Sequence, residues 1–175
     1  MRHRIAATAV ATLAALSLAT AASAADPQVA RGQYLVQLGG CNDCHTPGHF
    51  TGHPDMARYL GGSDVGFGIP GLGVFAGPNL TPDEDTGLGR WTIPQIVTAI
   101  TTGVRPDGRI LAPAMPWRDF ANLTQSDAQA IALFLKSLPP TRNKVAGPFG
   151  PTEPSTTPVM AVIPGSVYAS QIHDK

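Results

Sequence analysis

The stretch Cys41-Asn42-Asp43-Cys44-His45 constrains this chain more than any other, because it consumes both cysteines of the 175-residue sequence. No thiol remains for a structural disulfide elsewhere. Two thiols three positions apart, followed directly by an imidazole, form the C-x-x-C-H pattern of covalent haem attachment. Each thiol S–H adds across a haem vinyl double bond, and the adjacent imidazole reaches the iron from one face. On this reading Cys41 and Cys44 carry one haem c through thioether bonds, and His45 is the proximal iron ligand.

Three other chemistries use the same residue types. A thioredoxin-like dithiol needs its C-x-x-C at the start of a helix within a βαβ pattern, whereas Thr46-Pro47-Gly48 here reads as a turn. Zinc could draw on Cys41, Cys44, His49 and His53, which leaves His45 without a role. A plain disulfide between Cys41 and Cys44 is the third.

The start of the chain bears on the choice. Arg2 and Arg4 precede an Ala- and Leu-rich run that is broken by Thr8, Thr12 and Ser17 and followed by Ala22-Ser23-Ala24. A basic start, a short apolar run and an A-x-A site describe a secretory signal peptide over 1–24, not a membrane span. The mature protein then begins at Ala25 and is exported, which places it in the periplasm, where c-type haem is attached. No transmembrane segment is expected after cleavage.

The remainder has the size of one domain. Charged residues are 14 % of the sequence and the formal net charge is zero, so no basic stripe offers itself to nucleic acid. With 19 Gly and 17 Pro, much of the fold must be loop. A small core wrapped on a cofactor suits that composition.

Three helices are expected. The first runs from about Pro27 to Leu38, with Asp26 as N-cap, Pro27 in the first turn and Gly39-Gly40 as its stop. Val29, Leu35, Val36 and Leu38 are its core candidates, Tyr34 is read as packing, and Gly32 would let another helix approach closely. The second helix opens on a Thr92/Gln95 capping box, repeats Ile93, Ile96, Val97 and Ile100, and stops at Gly103. The third starts at Thr124 with Asp127 three residues on, buries Ile131, Phe134, Leu135 and Leu138, and ends at Pro139-Pro140. Between the first two, residues 46–89 show no sustained period and read as a long ordered loop, of a length that a bound ligand would justify. After Gly147 a Pro- and Gly-rich tail over 147–175 is expected to wrap or fray, which leaves 25–146 as the domain proper.

Pro113-Ala114-Met115-Pro116-Trp117 supplies a candidate for the other face of the iron. Its prolines hold an extended backbone from which Met115 can present a thioether, making it the candidate distal ligand. Methionine also fills core gaps, and Met56 and Met160 are the competing residues. Arg90 and Trp91 are possible propionate contacts through a guanidinium and an indole N–H. Arg105 and Arg109 admit the same role, but Asp107 between them makes a solvated turn equally acceptable.

Taken in order, several stretches resemble class I c-type cytochromes, and in particular the cytochrome c subunits of periplasmic dehydrogenases. They are Arg31-Gly32-Gln33-Tyr34-Leu35, the haem motif, Asn79-Leu80-Thr81-Pro82-Asp83 and Gly87-Leu88-Gly89-Arg90-Trp91. Gly103 to Arg109, Pro113-Ala114-Met115-Pro116 and Leu133 to Pro139 continue the series. The resemblance covers roughly Ala25 to Pro140. It implies an all-α class I cytochrome c fold, with three main helices and long Gly/Pro-rich loops around one covalent haem. It also implies a crossing of the first and third helices at Gly32 and Phe134, and His45 and Met115 as axial ligands. The loop from Gly48 to Gly77 is longer than in compact members, and the tail after Pro140 has no counterpart in the pattern.

With both axial positions filled, such an iron changes oxidation state but offers no vacant site to a substrate. The expected role is a non-catalytic monohaem carrier of single electrons, between a periplasmic dehydrogenase and a respiratory acceptor such as a terminal oxidase. The reading from a different class is a small haem enzyme, peroxidase or thiosulfate-oxidising, with an exchangeable distal site near His49 or His53.

Overall fold

The computed structural model describes residues 26–173, so the signal-peptide reading over 1–24 lies outside the described residues. Helix α1 (Pro27–Leu38) starts where local chemistry dictates: the Asp26 carboxylate accepts from Gln28 N at 2.8 Å and Pro27 occupies the first turn. Helix α2 (Cys41–His45) comes after Gly40, whose φ of 62° turns the chain between the two. Helix α3 (Ile93–Thr102) opens on the expected capping box: Thr92 N donates to Gln95 Oε1 at 2.9 Å, and Gln95 N returns to Thr92 Oγ1 at 3.3 Å. Short α4 (Trp117–Phe120) precedes α5 (Gln125–Ser137), which is capped by Thr124 accepting from Asp127 N.

The core forms where α1 and α3 pack on α5, around Val36, Ile96, Ile131, Phe134 and Leu135. Gly32 is required at the α1–α5 crossing: a Cβ there would overlap the Ala130 carbonyl oxygen and come within 2.8 Å of Phe134 Cβ. Arg31 closes the rim of this crossing with a 2.8 Å ion pair to Asp127. That guanidinium holds the Asp127 carboxyl below its ordinary value. Because the folded state lowers this pKa, the pair's contribution is complete above about pH 4 and fades as pH falls through the folded value. Arg31→Gln should therefore reduce the loss of stability on acidification below pH 4, measured as urea midpoints at pH 3 and pH 7. Two expectations for α1 differ from the structure. Leu38 is 69 % exposed and Tyr34 54 % exposed, the latter with the Arg31 guanidinium over its ring. Both lie on the face turned away from α5.

Residues 46–89, expected to be loop, hold two 3₁₀ turns (His49–Thr51 and Met56–Arg58) and a β-hairpin. Its strands β1 (Gly66–Ile69) and β2 (Gly73–Ala76) pair antiparallel. The tail supplies β3 (Val159–Ala161), parallel to β1, then α6 (Gly165–His173). The all-α expectation is thus corrected to a helical fold with a three-stranded sheet in the order β2-β1-β3. Gly66-Phe67-Gly68-Ile69 conceals a strand, because its glycines sit where Val74 and Val159 side chains fill the space a Cβ would need. Of the two outcomes open for the tail, wrapping or fraying, part of it packs back on the hairpin: Phe149 exchanges backbone hydrogen bonds with Val74.

Candidate functional site

The five residues of α2 form the centre of the site. Its start is set by the left-handed Gly40 and its end by Gly62 N, which donates to the His45 carbonyl at 2.7 Å. Beyond it, buried Thr46 accepts from Leu60 N through its hydroxyl, and Leu60 plugs the core with no exposed surface. Gly77 lies directly against α2, since a Cβ there would overlap the Cys44 carbonyl oxygen and stand 3.2 Å from His45 Nδ1.

His45 is 5 % exposed, and its Nδ1 lies 2.8 Å from the Pro78 carbonyl oxygen. A carbonyl only accepts, so Nδ1 carries the proton and Nε2 keeps its lone pair. Burial pushes the His45 pKa down, against the smaller opposing effect of that carbonyl, so the imidazole is neutral. This is the tautomer a metal-ligating histidine needs.

The two cysteines are free thiols. Burial pushes the Cys41 thiol up to about 11 and raises the Cys44 thiol as well. Both are therefore S–H groups at neutral pH. A redox dithiol is activated by a lowered pKa, so this environment disfavours the thioredoxin-like reading. The zinc reading needs Cys41, Cys44, His49 and His53 together. Among the described residues no three His, Cys, Asp or Glu side chains converge as a metal-holding group. His49 instead lies 3.5 Å from Asp43 and edge-on to Phe50, while His53 is exposed.

An apolar cleft of about 300 Å³ is lined by Leu72, Phe75 of β2, the segment Ile110 to Pro113, and Trp117 and Arg118 of α4. Two of the elements that line it, β2 and α4, also approach α2. Phe75 is two residues from Gly77, and Phe120 of α4 lies within 4 Å of where a Cβ on Gly39 would stand, as does Cys41 Sγ. Met115 belongs to the turn between two lining residues, Pro113 and Trp117. Its N–H donates to Ala112 O at 2.9 Å, its carbonyl accepts from Trp117 N at 2.8 Å, and its side chain is half-buried. Met56 and Met160 are 62 % and 43 % exposed.

The arginines divide differently from the sequence expectation. The Arg90 side chain is 72 % exposed and directed at Asp85, 3.4 Å away. Trp91 packs against the core, with the Arg105 guanidinium 5.3 Å from its ring centroid. Arg109 grips Asp107 with two hydrogen bonds, as a solvated turn would. Arg105 Nε is buried with no hydrogen-bond partner, and Asp107 Oδ1 is 3.5 Å away. An orphaned buried guanidinium nitrogen is a place prepared for an acceptor. In the sequence Arg105 is masked by Asp107, which accounts for its charge. The Pro78 carbonyl and Gly77 escape a reading by residue type, and the Gly-Pro pair before Asn79 is the only signal of them.

These residues fit a covalently held haem: two S–H groups and a neutral imidazole with a free Nε2 on one short helix, and elsewhere an apolar cleft and an Arg105 Nε that makes no hydrogen bond. No protein-family model matches the chain. Among individual proteins, it is 36 % identical over 129 residues to the cytochrome c subunit of a quinone-type alcohol dehydrogenase from Gluconacetobacter polyoxogenes, covering 73 % of this chain and 26 % of that protein. It is 33 % identical over 117 residues to the fructose dehydrogenase cytochrome subunit of Gluconobacter japonicus, covering 66 % and 22 %. To a diheme cytochrome c-type protein of Cereibacter sphaeroides it is 29 % identical over 114 residues, covering 65 % and 37 %. The alignment with the alcohol dehydrogenase subunit thus spans about a quarter of that relative. Motif, site geometry and these similarities point the same way: over about two thirds to three quarters of its length the chain is similar to the cytochrome c subunits of dehydrogenases.

Proposed function

We propose that this protein is an exported monohaem electron carrier of class I type, in which 25–146 form the haem domain and 147–175 an appended tail. The observation that carries this reading is His45: a buried, neutral imidazole whose Nδ1 is engaged by Pro78 O and whose Nε2 is left for iron, four residues after Cys41 and next to Cys44. Haem bound there supplies a one-electron Fe(II)/Fe(III) couple.

The chain's own residues do the rest. Cys41 and Cys44 would hold the macrocycle through two thioether bonds, each S–H adding across a vinyl double bond so that sulfur and hydrogen end on neighbouring carbons. Phe75, Leu111 and Trp117 would give the macrocycle apolar contacts, and an apolar setting disfavours the extra charge of the ferric state. Met115 would supply the second protein ligand to the iron. Arg105, with its orphaned Nε and its seat on Trp91, is better placed than Arg90 to receive a propionate. Among the described residues no helix is long and apolar enough to cross a membrane. The donor proposed by analogy with the relatives is a dehydrogenase, and the acceptor a respiratory protein such as a terminal oxidase, both periplasmic.

Acid–acetone extraction of the exported protein should leave haem on the denatured polypeptide, one per chain by pyridine haemochrome. Stopped-flow mixing with a reduced dehydrogenase should then reduce that haem without turnover of a small substrate by the isolated protein. Extractable haem, or zinc in place of iron, would overturn the cofactor assignment. Substrate turnover scaling with haem content would favour a haem enzyme.

A further inference from the structure

The segment beyond Pro78 is built around a side chain to which the haem reading gives no role. Asn79 is 1 % exposed, and all four of its hydrogen-bonding positions are used. Its Nδ2 donates to Thr86 Oγ1 at 3.0 Å and to Thr141 O at 2.7 Å. Its Oδ1 accepts from Thr81 N at 2.9 Å and from Thr81 Oγ1 at 2.7 Å. The partners come from the loop before α3 and from the chain just beyond α5, so Asn79 is fastened to the two sides of the core at once.

Both ends of His45 run into this network. The imidazole reaches it through Pro78 O, whose direction is set by the peptide plane between Pro78 and Asn79. The His45 carbonyl reaches it through Gly62 N, one residue from Gly61, whose carbonyl accepts from Asn143 Nδ2 at 2.7 Å. Asn143 N in turn donates to the same Thr86 Oγ1 that receives Asn79. Proline restricts φ at 78 and brings no N–H of its own, so the orientation of its carbonyl depends on where residue 79 is held.

We propose that Asn79 is a positioning residue, which holds the Pro78 carbonyl against His45 Nδ1–H and thereby sets how strongly Nε2 donates to iron. The proposal rests on the haem reading and deepens it. A hydrogen bond from the non-ligating nitrogen makes an imidazole a better donor and favours the more highly charged metal. Loosening that bond should therefore raise the reduction potential and speed exchange of the Nδ1 proton with solvent.

The test uses the holoprotein. Haem content is measured first, then the potential by spectroelectrochemistry and exchange of the His45 Nδ1 proton by NMR in the ferrous state. Asn79→Ala should keep its covalent haem, shift the potential upward and exchange this proton at least about tenfold faster, in line with the effect of removing outer-shell partners of metal ligands. Should Asn79→Ala fail to mature, Thr86→Val removes one partner and leaves Asn79 in place. It should shift both readouts the same way by less, and Thr86→Ser, which restores the hydroxyl, should bring them back. A purely structural role predicts lower thermal stability with potential and exchange unchanged, and that result in either variant would overturn the proposal. Absence of covalent haem from the wild-type protein would overturn the haem reading itself, which is a different failure.

Discussion

Gly32→Val is expected to abolish folding under ordinary conditions, and Gly32→Ala to lower stability by about 2 kcal/mol or more. Alanine favours a helix over glycine by about 1 kcal/mol, so on propensity alone the change would stabilise α1. Overpacking decides the sign. The new methyl group meets the Ala130 carbonyl oxygen and Phe134 Cβ, neither of which can rotate away. The two helices must separate, at a cost of about 3 kcal/mol for one methyl group and more for three. Separation also uncovers Val36, Ile131 and Leu135. Each buried apolar side chain of that size contributes about 1.5–3 kcal/mol, against a total of about 5–15 kcal/mol for a domain. Urea unfolding followed by far-ultraviolet circular dichroism measures the effect. A Gly32→Ala midpoint equal to or above that of the wild type would show that α1 and α5 leave room for a methyl group at their crossing.

The features legible in the sequence are local ones. Asp26, Thr92 with Gln95, and Thr124 announce helix starts because a cap is a contact between residues two or three apart. The Gly32–Phe134 crossing is legible only through resemblance, since no local pattern joins residues so far apart. The sheet is not legible, because β1 pairs with a strand about ninety residues later and its alternate positions are glycines whose apolar cover comes from Val74 and Val159. The centre of the site is legible in C-x-x-C-H, whereas the acceptor that fixes the His45 tautomer is not: it is a backbone carbonyl, which no residue type marks. Arg105 is legible only as one of two candidates, alongside Arg109. Asp107 between them offers both a partner, and only the geometry separates the two: Arg109 takes Oδ2 with two hydrogen bonds, while Arg105 Nε stands 3.5 Å from Oδ1 and makes none.

Met115→Ala should convert an iron centre inert to carbon monoxide into one that binds it in the reduced state, with a fall in reduction potential. The choice of Met115 rests on its setting. Its backbone is pinned on both sides by hydrogen bonds within the turn after Ala112, and the flanking Pro113 and Pro116 reduce the entropy lost in holding it. Its near neighbours Pro113 and Trp117 line the apolar cleft, whereas Met56 and Met160 are exposed. The substitution removes a half-buried side chain, so stability should fall by only about 1–2 kcal/mol and the protein should mature normally. A thioether raises the potential of an iron whose other ligand is histidine, hence the expected fall when it is lost. Met56→Ala and Met160→Ala should leave spectrum, potential and carbon monoxide reactivity as they are. If Met115→Ala also left them unchanged, the distal ligand would have to be sought elsewhere. His49, already engaged with Asp43 and Phe50, and exposed His53 would be the next residues to replace. A wild-type protein that binds carbon monoxide as readily as Met115→Ala would instead indicate an open iron face and favour the haem-enzyme reading over the carrier.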